Sequence, residues 1–283
     1  MKIFITGGTG FIGKHVVEKL REDKNNELFL LSKNLADIKI WKKEVKDFNP
    51  DAIIHLAWEG LPDHGTKISM KNLKYGLDLL VLSAEIGCKV FLSTGSCYEY
   101  GLKPGEMSEG RQPKSIDAFA VAKNCLCQLG MEIAKEHNTR FIWARLFYVY
   151  GPGQRELSIL PYLIQCAKNK KTPEIKNPSA KNDFVYIQDV ADALCLLLQK
   201  SAKTGVYNIG SGHLTAILNT IETVSDYFGV QNTYNDIGSK ATGLLPSDFY
   251  ADISKIKKDT GWEPKVDIQE GIKKTIGYYE NGK

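Results

Sequence analysis

The sequence predicts an α/β protein on a doubly wound parallel sheet, with a smaller C-terminal α/β lobe. Three observations carry that expectation. A buried strand runs straight into a glycine-rich turn and a helix within the first twenty residues. Strand and helix signals then alternate as far as residue 150. After Gly151-Pro152-Gly153 the composition shifts and the elements shorten.

Taken in order, Lys2 to Thr6 has the β-branched and aromatic content of a buried strand, and His15 to Leu20 continues as an apolar-periodic helix. Glu27 to Leu31 reads as a second strand, Ile38 to Phe48 as an amphipathic helix, and Pro50 to Trp58 as a third strand. Leu73 to Ile86 is a long helix, Lys89 to Ser93 a strand, Ala118 to Glu136 a second long helix and Thr139 to Leu146 a strand. Beyond them come a helix over Ser158 to Lys168, a strand over Asp183 to Tyr186 and a helix over Asp189 to Gln199. A strand over Val206 to Ile209 and helices near Leu218 to Phe228 and Ile268 to Tyr279 complete the chain. Residues 1–153 are expected to form the main domain. Residues 154–283 mainly form the lobe that caps the sheet's carboxyl edge, with about 183–209 returning to the main domain.

Between the first strand and helix stand Gly7, Gly8, Gly10 and Gly13. Strand, glycine turn and helix make the Rossmann-type dinucleotide site. Gly7 permits a tight turn, Gly10 lets backbone approach a pyrophosphate, and Gly13 lets helix and strand pack closely. The helix N-terminus supplies the field that holds the phosphates, with Phe11 and Ile12 in its first turn. Gly8, Gly13 and Lys14 also fit a mononucleotide loop, but His15 stands where that loop needs Ser or Thr for magnesium. At the end of the second strand stand Ser32, Lys33 and Asn34, with no carboxylate to repel a 2′-phosphate and one cation to attract it. That favours NADP over NAD.

The 283 residues, 43% hydrophobic, are enough to bury a sizeable core. A formal net charge of +4, with no basic run interleaved with aromatics, gives no reason to expect nucleic acid. No apolar run reaches membrane-spanning length, and no signal peptide is expected before the opening strand. The six cysteines form no CxxC pair and no cluster with metal spacing, so buried free thiols in a reducing cytoplasm are expected, and no metal.

Several segments together resemble the extended short-chain dehydrogenase/reductase family of NAD(P)-dependent sugar-nucleotide epimerases, dehydratases and reductases. They are Thr6 to Gly13, His55-Leu56-Ala57, Ser93 to Gly101 (STGSCYEYG), Ala122-Lys123, and Arg145 with Tyr150 to Gly153. Asp183 to Tyr186, Tyr207 to Gly210, Asp252 to Lys255 and Gly261 to Pro264 extend the match almost to the C-terminus. The resemblance implies a catalytic Ser or Thr, here Ser96 with Thr94 as the fallback, and a Tyr four residues before a Lys, here Lys123. It implies Leu56 and Ala57 beside the cofactor. Four residues apart on one helix face, the lysine lowers the phenol's pKa and bonds the nicotinamide ribose, and the phenol exchanges a proton with the sugar oxygen.

The tyrosine slot holds Phe119. Three accounts of it stay open. It is a Tyr→Phe substitution made to trap substrate, or an enzyme taking its proton from Tyr98, Tyr100 or water, or a protein that binds without turnover. Trp58 and Glu59, just past the nicotinamide position, line the substrate pocket or pack structurally, and Tyr98 and Tyr148 are further substrate candidates. His55 reads as a satisfied core histidine, Asn72 as a cap of the long helix, and Arg145 as half of a structural ion pair. Asp189 either closes the site or caps a helix. The family's diphosphate-gripping arginine is missing from Leu244 to Asp248, leaving Lys181 or Arg155 as substitutes.

The expected activity is NADPH-dependent reduction of a keto group on a nucleotide-linked, 4-keto-6-deoxy sugar. The alternatives are an NAD-retaining epimerase or dehydratase and a non-catalytic NADP-binding regulator. The family also implies a homodimer through the two long helices.

Overall fold

Alternation within the first strand decides what lies on each face of the central sheet. In the computed structural model, which describes residues 1–101, 103–237 and 248–281, Lys2–Thr6 (β1) sends Ile3 and Ile5 to one face and Phe4 to the other. Next come α1 (Phe11–Glu22), β2 (Glu27–Leu30), α2 (Ile38–Phe48), β3 (Ala52–His55), α3 (Thr66–Glu85) and β4 (Val90–Ser96). A short β5 (Gly105–Met107), α4 (Ala118–Glu136) and β6 (Arg140–Leu146) follow. The second half holds β7 (Tyr148–Tyr150), α5 (Ile159–Lys168), β8 (Glu174–Ile175), β9 (Lys181–Asn182), β10 (Phe184–Tyr186), α6 (Ile187–Leu197) and β11 (Gly205–Ile209). Last are β12 (Thr215–Ala216), α7 (Ile217–Phe228), β13 (Asn235–Asp236), β14 (Phe249–Ala251), α8 (Ser254–Thr260) and α9 (Ile268–Glu280).

Six strands form one parallel sheet in the order β11-β6-β4-β3-β1-β2. Ile3, Ile5 and Ile54 face Val16 and Leu20 of α1 and Val190 and Leu194 of α6. Phe4, Ile53 and Phe91 face Trp41, Leu79 and Leu126 from α2, α3 and α4. This is the doubly wound α/β fold expected from the alternation. The order reverses beside β1, and the register sets Thr6 against His55 and His55 against Ser93, so those carboxyl ends open at one switch point. A second core, with Leu160, Ile164, Ile221, Ile272 and Ile276, joins α5, α7 and α9 to Tyr150, Phe184 and Tyr186. From there α6 and β11 carry the chain back to the central sheet. Among the described residues, no helix is long and apolar enough to cross a membrane.

Most long elements lie within two residues of their expected ends. The third strand is shorter because Leu56 to Trp58 leave the sheet, and α3 begins seven residues early. Asn72 therefore lies inside α3 rather than capping it. Buried there, its amide accepts from Glu59 N–H at 2.8 Å and donates to the carbonyls of Glu59 and Ile68, tying down the loop after β3. Asp189 does not cap α6, whose N-cap is Tyr186. Its buried carboxylate instead accepts the Lys265 and Val266 N–H groups, each at 3.1 Å, and seats the segment leading to α9. Residues 244–247 of the stretch expected to hold a diphosphate-gripping arginine lie outside the described residues.

Asp189→Ala leaves those two N–H groups unpaired and is expected to cost about 1–3 kcal/mol. The measurement is urea unfolding, with a lower midpoint and an unchanged slope; a midpoint equal to that of the unsubstituted protein contradicts the seating role.

Candidate functional site

The turn after β1 is tight because side chains are excluded from it. Gly7 has φ +73°, and a Cβ there would stand 2.6 Å from Ala57 N; a Cβ on Gly13 would stand 2.0 Å from Gly7 O. The backbone of β1, α1 and the β3 exit therefore closes together. At Gly10 the helix starts without a side-chain cap, and its first turn carries no acidic residue, so its N–H groups remain available to an anion. His15, out of place for a mononucleotide loop, bonds the Pro152 carbonyl through Nε2 at 3.0 Å.

The carboxyl ends of β1, β3, β4 and β6 open into one cleft of about 670 Å³. It brings together most residues singled out from the sequence: Gly7, Gly10, Phe11, Ile12 and Gly13; Leu56, Ala57, Trp58 and Glu59; Thr94, Ser96 and Tyr98; Phe119 and Lys123. Arg155 also lines it. Tyr148 does not. It lines a separate cavity of about 300 Å³ that shares Tyr98.

Ser96 ends β4, where its Oγ accepts the Tyr98 N–H at 3.2 Å and its own N–H donates to Glu99 Oε1 at 2.7 Å. This reciprocal cap fixes the hydroxyl at the cleft. Lys123, buried on α4, donates from Nζ to the Thr94 carbonyl at 2.6 Å and lies 4.2 Å from the centre of the Trp58 ring. Burial pushes its ammonium down to about 8, with the Glu99 charge opposing. One turn earlier, Phe119 is packed edge-on against Trp58, centroids 5.1 Å apart. Trp58 Nε1 is buried with no hydrogen-bond partner among the described residues.

Other side chains sort by their partners. His55 is buried in the core, bonded through Nδ1 to Thr6 Oγ1 at 2.7 Å, and burial pushes its pKa down to about 3. Arg145 Nε reaches Glu99 Oε2 at 2.8 Å in a buried ion pair. Tyr98 stays at the cleft, its phenol pushed up to about 12 by burial. Tyr100 is removed as a proton donor, because it is buried away from the cleft and donates to Asn208 Oδ1 at 2.7 Å. Ser32, Lys33 and Asn34 lie at the end of β2 but not on the cleft. Asn34 accepts from Ala36 N–H, and Lys33 is ion-paired with Glu44, so its charge is already partnered.

His64 is a cleft residue that no sequence motif marks. It lines the cleft, stacked on Phe119 at 4.5 Å and 19°, with Nδ1 2.6 Å from Asp117 Oδ2. The only sequence signal was an Asp at the cap of α4 and a His in the loop after β3, 53 residues apart. No local pattern joins them.

Residues 3–210 match the NAD dependent epimerase/dehydratase family. The chain is 27% identical to UDP-glucuronic acid decarboxylase 3 of Arabidopsis thaliana, over 96% of this chain and 87% of that protein. It is 26% identical to the dTDP-4-dehydro-6-deoxyglucose reductase of Escherichia coli, over 97% and 96%. A Bacillus cereus UDP-glucuronic acid 4-epimerase, solved with UDP-glucuronic acid and NAD, superposes with a TM-score of 0.89 at 22% identity, covering all of both chains.

Lys123 makes a stability prediction. The unfolded ammonium titrates near 10.5 and the folded one near 8, so between those values the unfolded state binds more protons and stability rises with pH. The full cost is present below pH 8. Lys123→Met is expected to stabilise the fold at pH 7 by on the order of 1–3 kcal/mol, a gain that shrinks toward pH 10.5. Urea unfolding at pH 7 and pH 10 reads it; no gain at pH 7 contradicts the buried charge.

Proposed function

The chain belongs to the NAD dependent epimerase/dehydratase family, and from that premise we propose that it reduces the keto group of a nucleotide-linked, 4-keto-6-deoxy sugar with NADPH. The observation that carries the reading is the convergence of Ser96 and Lys123 on one cleft with the N-terminus of α1, whose Gly10 cap position carries no side chain. A bound nicotinamide supplies the hydride. The Gly7 to Gly13 turn would hold the pyrophosphate, Leu56 and Ala57 would line the cofactor, and Lys123 would position the nicotinamide ribose. Ser96 donates to the sugar carbonyl, and Thr94 serves through its carbonyl, which orients Lys123. Phe119 keeps the shape of the proton donor's slot without its hydroxyl.

The residues fit a sugar. The orphaned Trp58 N–H needs an acceptor, which a sugar hydroxyl supplies, and Glu59 stands beside it, paired with Lys71. Arg155 takes the diphosphate in this reading, which its place on the cleft lining supports. The cavity at Tyr98 and Tyr148 takes the nucleotide end. The absence of a carboxylate at Ser32-Lys33-Asn34 supports NADP, and a dissociable NADPH pool supports net reduction. The E. coli reductase, aligned over nearly all of this chain, supports the same direction. An NAD-retaining epimerase is the second reading, favoured by the Lys33–Glu44 ion pair and by the NAD in the Bacillus cereus epimerase. A homodimer through α3 and α4 is supported by the exposed Met70, Val81, Val121 and Leu129 on those helices. Six free thiols support a reducing compartment.

Titrating NADPH and NADH separately, read by nicotinamide fluorescence, is expected to show at least tenfold tighter NADPH binding; NADH preference, or cofactor that cannot be washed away, moves the assignment to an epimerase. Arg155→Ala is expected to raise KM for dTDP-4-dehydro-6-deoxyglucose about tenfold with kcat nearly unchanged. An unchanged KM removes Arg155 from the diphosphate.

A further inference from the structure

The slot at Phe119 lacks a hydroxyl, yet a second titratable side chain lies on its ring. His64 comes from the loop after β3, and its imidazole stacks on Phe119 with centroids 4.5 Å apart and planes 19° apart. A phenol at that position would carry its oxygen on the rim of the ring that His64 covers. We propose that His64, held by Asp117, is the proton donor of this site in place of the missing phenol. This assignment rests on the reductive reading above.

The geometry supports a donor. Asp117 is fixed as the N-cap of α4: its Oδ1 accepts the Ala120 N–H at 2.8 Å, and its Oδ2 lies 2.6 Å from His64 Nδ1. One helix start thus orients both the imidazole and, through the α4 backbone, Lys123 two turns on. Nδ1 is used by the carboxylate. Nε2 makes no hydrogen bond among the described residues, and with the side chain 31% exposed on the cleft it remains open to a ligand. A carboxylate on Nδ1 fixes the plane of the imidazole and leaves Nε2 as the nitrogen that meets a ligand. The remaining charged and titratable groups around it are Tyr98, whose ring meets it edge-on at 5.9 Å, and Glu59, Lys123 and Arg155 on the same cleft. The neighbouring Asp63 is engaged with the Gly65 N–H.

The step balances. The carbonyl carbon gains the hydride that reduced nicotinamide supplies, and the C=O π pair moves onto oxygen. That oxygen takes the proton from His64 Nε2 while Ser96 donates a hydrogen bond to it. His64 is left neutral with Nδ1–H on Asp117, and it regains a proton from solvent. Asp117 acts as a positioning residue.

The test uses NADPH and dTDP-4-dehydro-6-deoxyglucose as the probe substrate. His64→Gln is expected to lower kcat about 10²–10³-fold with KM within threefold. Asp117→Asn, which keeps the helix cap, is expected to lower kcat about tenfold. Adding Phe119→Tyr to His64→Gln is expected to recover at least tenfold, a rescue that a merely structural histidine does not allow. Independently of turnover, the ¹⁵N imidazole signal absent from His64→Gln is expected to shift when UDP-glucose alone is added as a binding probe. If His64→Gln turns over within threefold of the unsubstituted enzyme, or if the imidazole signal does not respond to UDP-glucose, the His64 assignment falls and the reductive reading stands. If the unsubstituted protein oxidises NADPH with none of the dTDP-, UDP- or CDP-linked 4-keto-6-deoxy sugars, the reductive reading falls and takes the assignment with it.

Discussion

The Glu99 carboxylate has no solvent exposure, and the ordered side of the cleft hangs on it. One oxygen accepts the Ser96 N–H, the other accepts Arg145 Nε, and the Trp143 indole N–H lies within 3.2 Å of both. A carboxylate taken out of water is tolerable only with such partners, and stripping one partner from a buried pair costs about 3–5 kcal/mol. Glu99 stands in the turn after β4 and its partners come from β4 and β6, so the same interaction that satisfies the charge pins the end of β4. Ser96 sits where it does because its neighbour three residues on is locked.

Glu99 also sets the electrostatics at a distance. Its charge is what opposes the desolvation of the Lys123 ammonium. Lys123 otherwise leans on the Thr94 carbonyl and the Trp58 face, both poor substitutes for water. A charge buried at such a cost is the kind of group that folding alone does not select. Phe119 follows the same logic. It fills space beside Lys123 and offers its face to His64, so the region is shaped by the rings of Trp58, Phe119 and His64.

Much of this was legible in the sequence. The six-stranded sheet follows from alternation of period-two and period-3.6 signals, and the glycine turn from the only residue type that fits between β1 and the β3 exit. The clustering of Ser96, Phe119 and Lys123 followed from a resemblance spread over nearly the whole chain. What was not legible depends on partners far apart in the chain. Asn72 looked like a cap because its true partner, the loop at Glu59, lies thirteen residues earlier. Asp189 serves the chain near Val266, and the His64–Asp117 contact joins two loops. Lys33 reads as a free cation in the sequence, but Glu44, nearly two turns into α2, pairs with it. Strands of two or three residues, such as β9 and β12, are too short for any period to register.

Direction separates the two readings: the proposed reduction gives a hydride away for good, whereas an epimerase takes it back. Deuterium placed on the transferable position of NADPH separates the two. Net reduction leaves one deuterium fixed at the former carbonyl carbon of dTDP-4-dehydro-6-deoxyglucose, read by NMR, with one NADP⁺ formed for each sugar reduced. A sugar product without deuterium and without net cofactor consumption would contradict it.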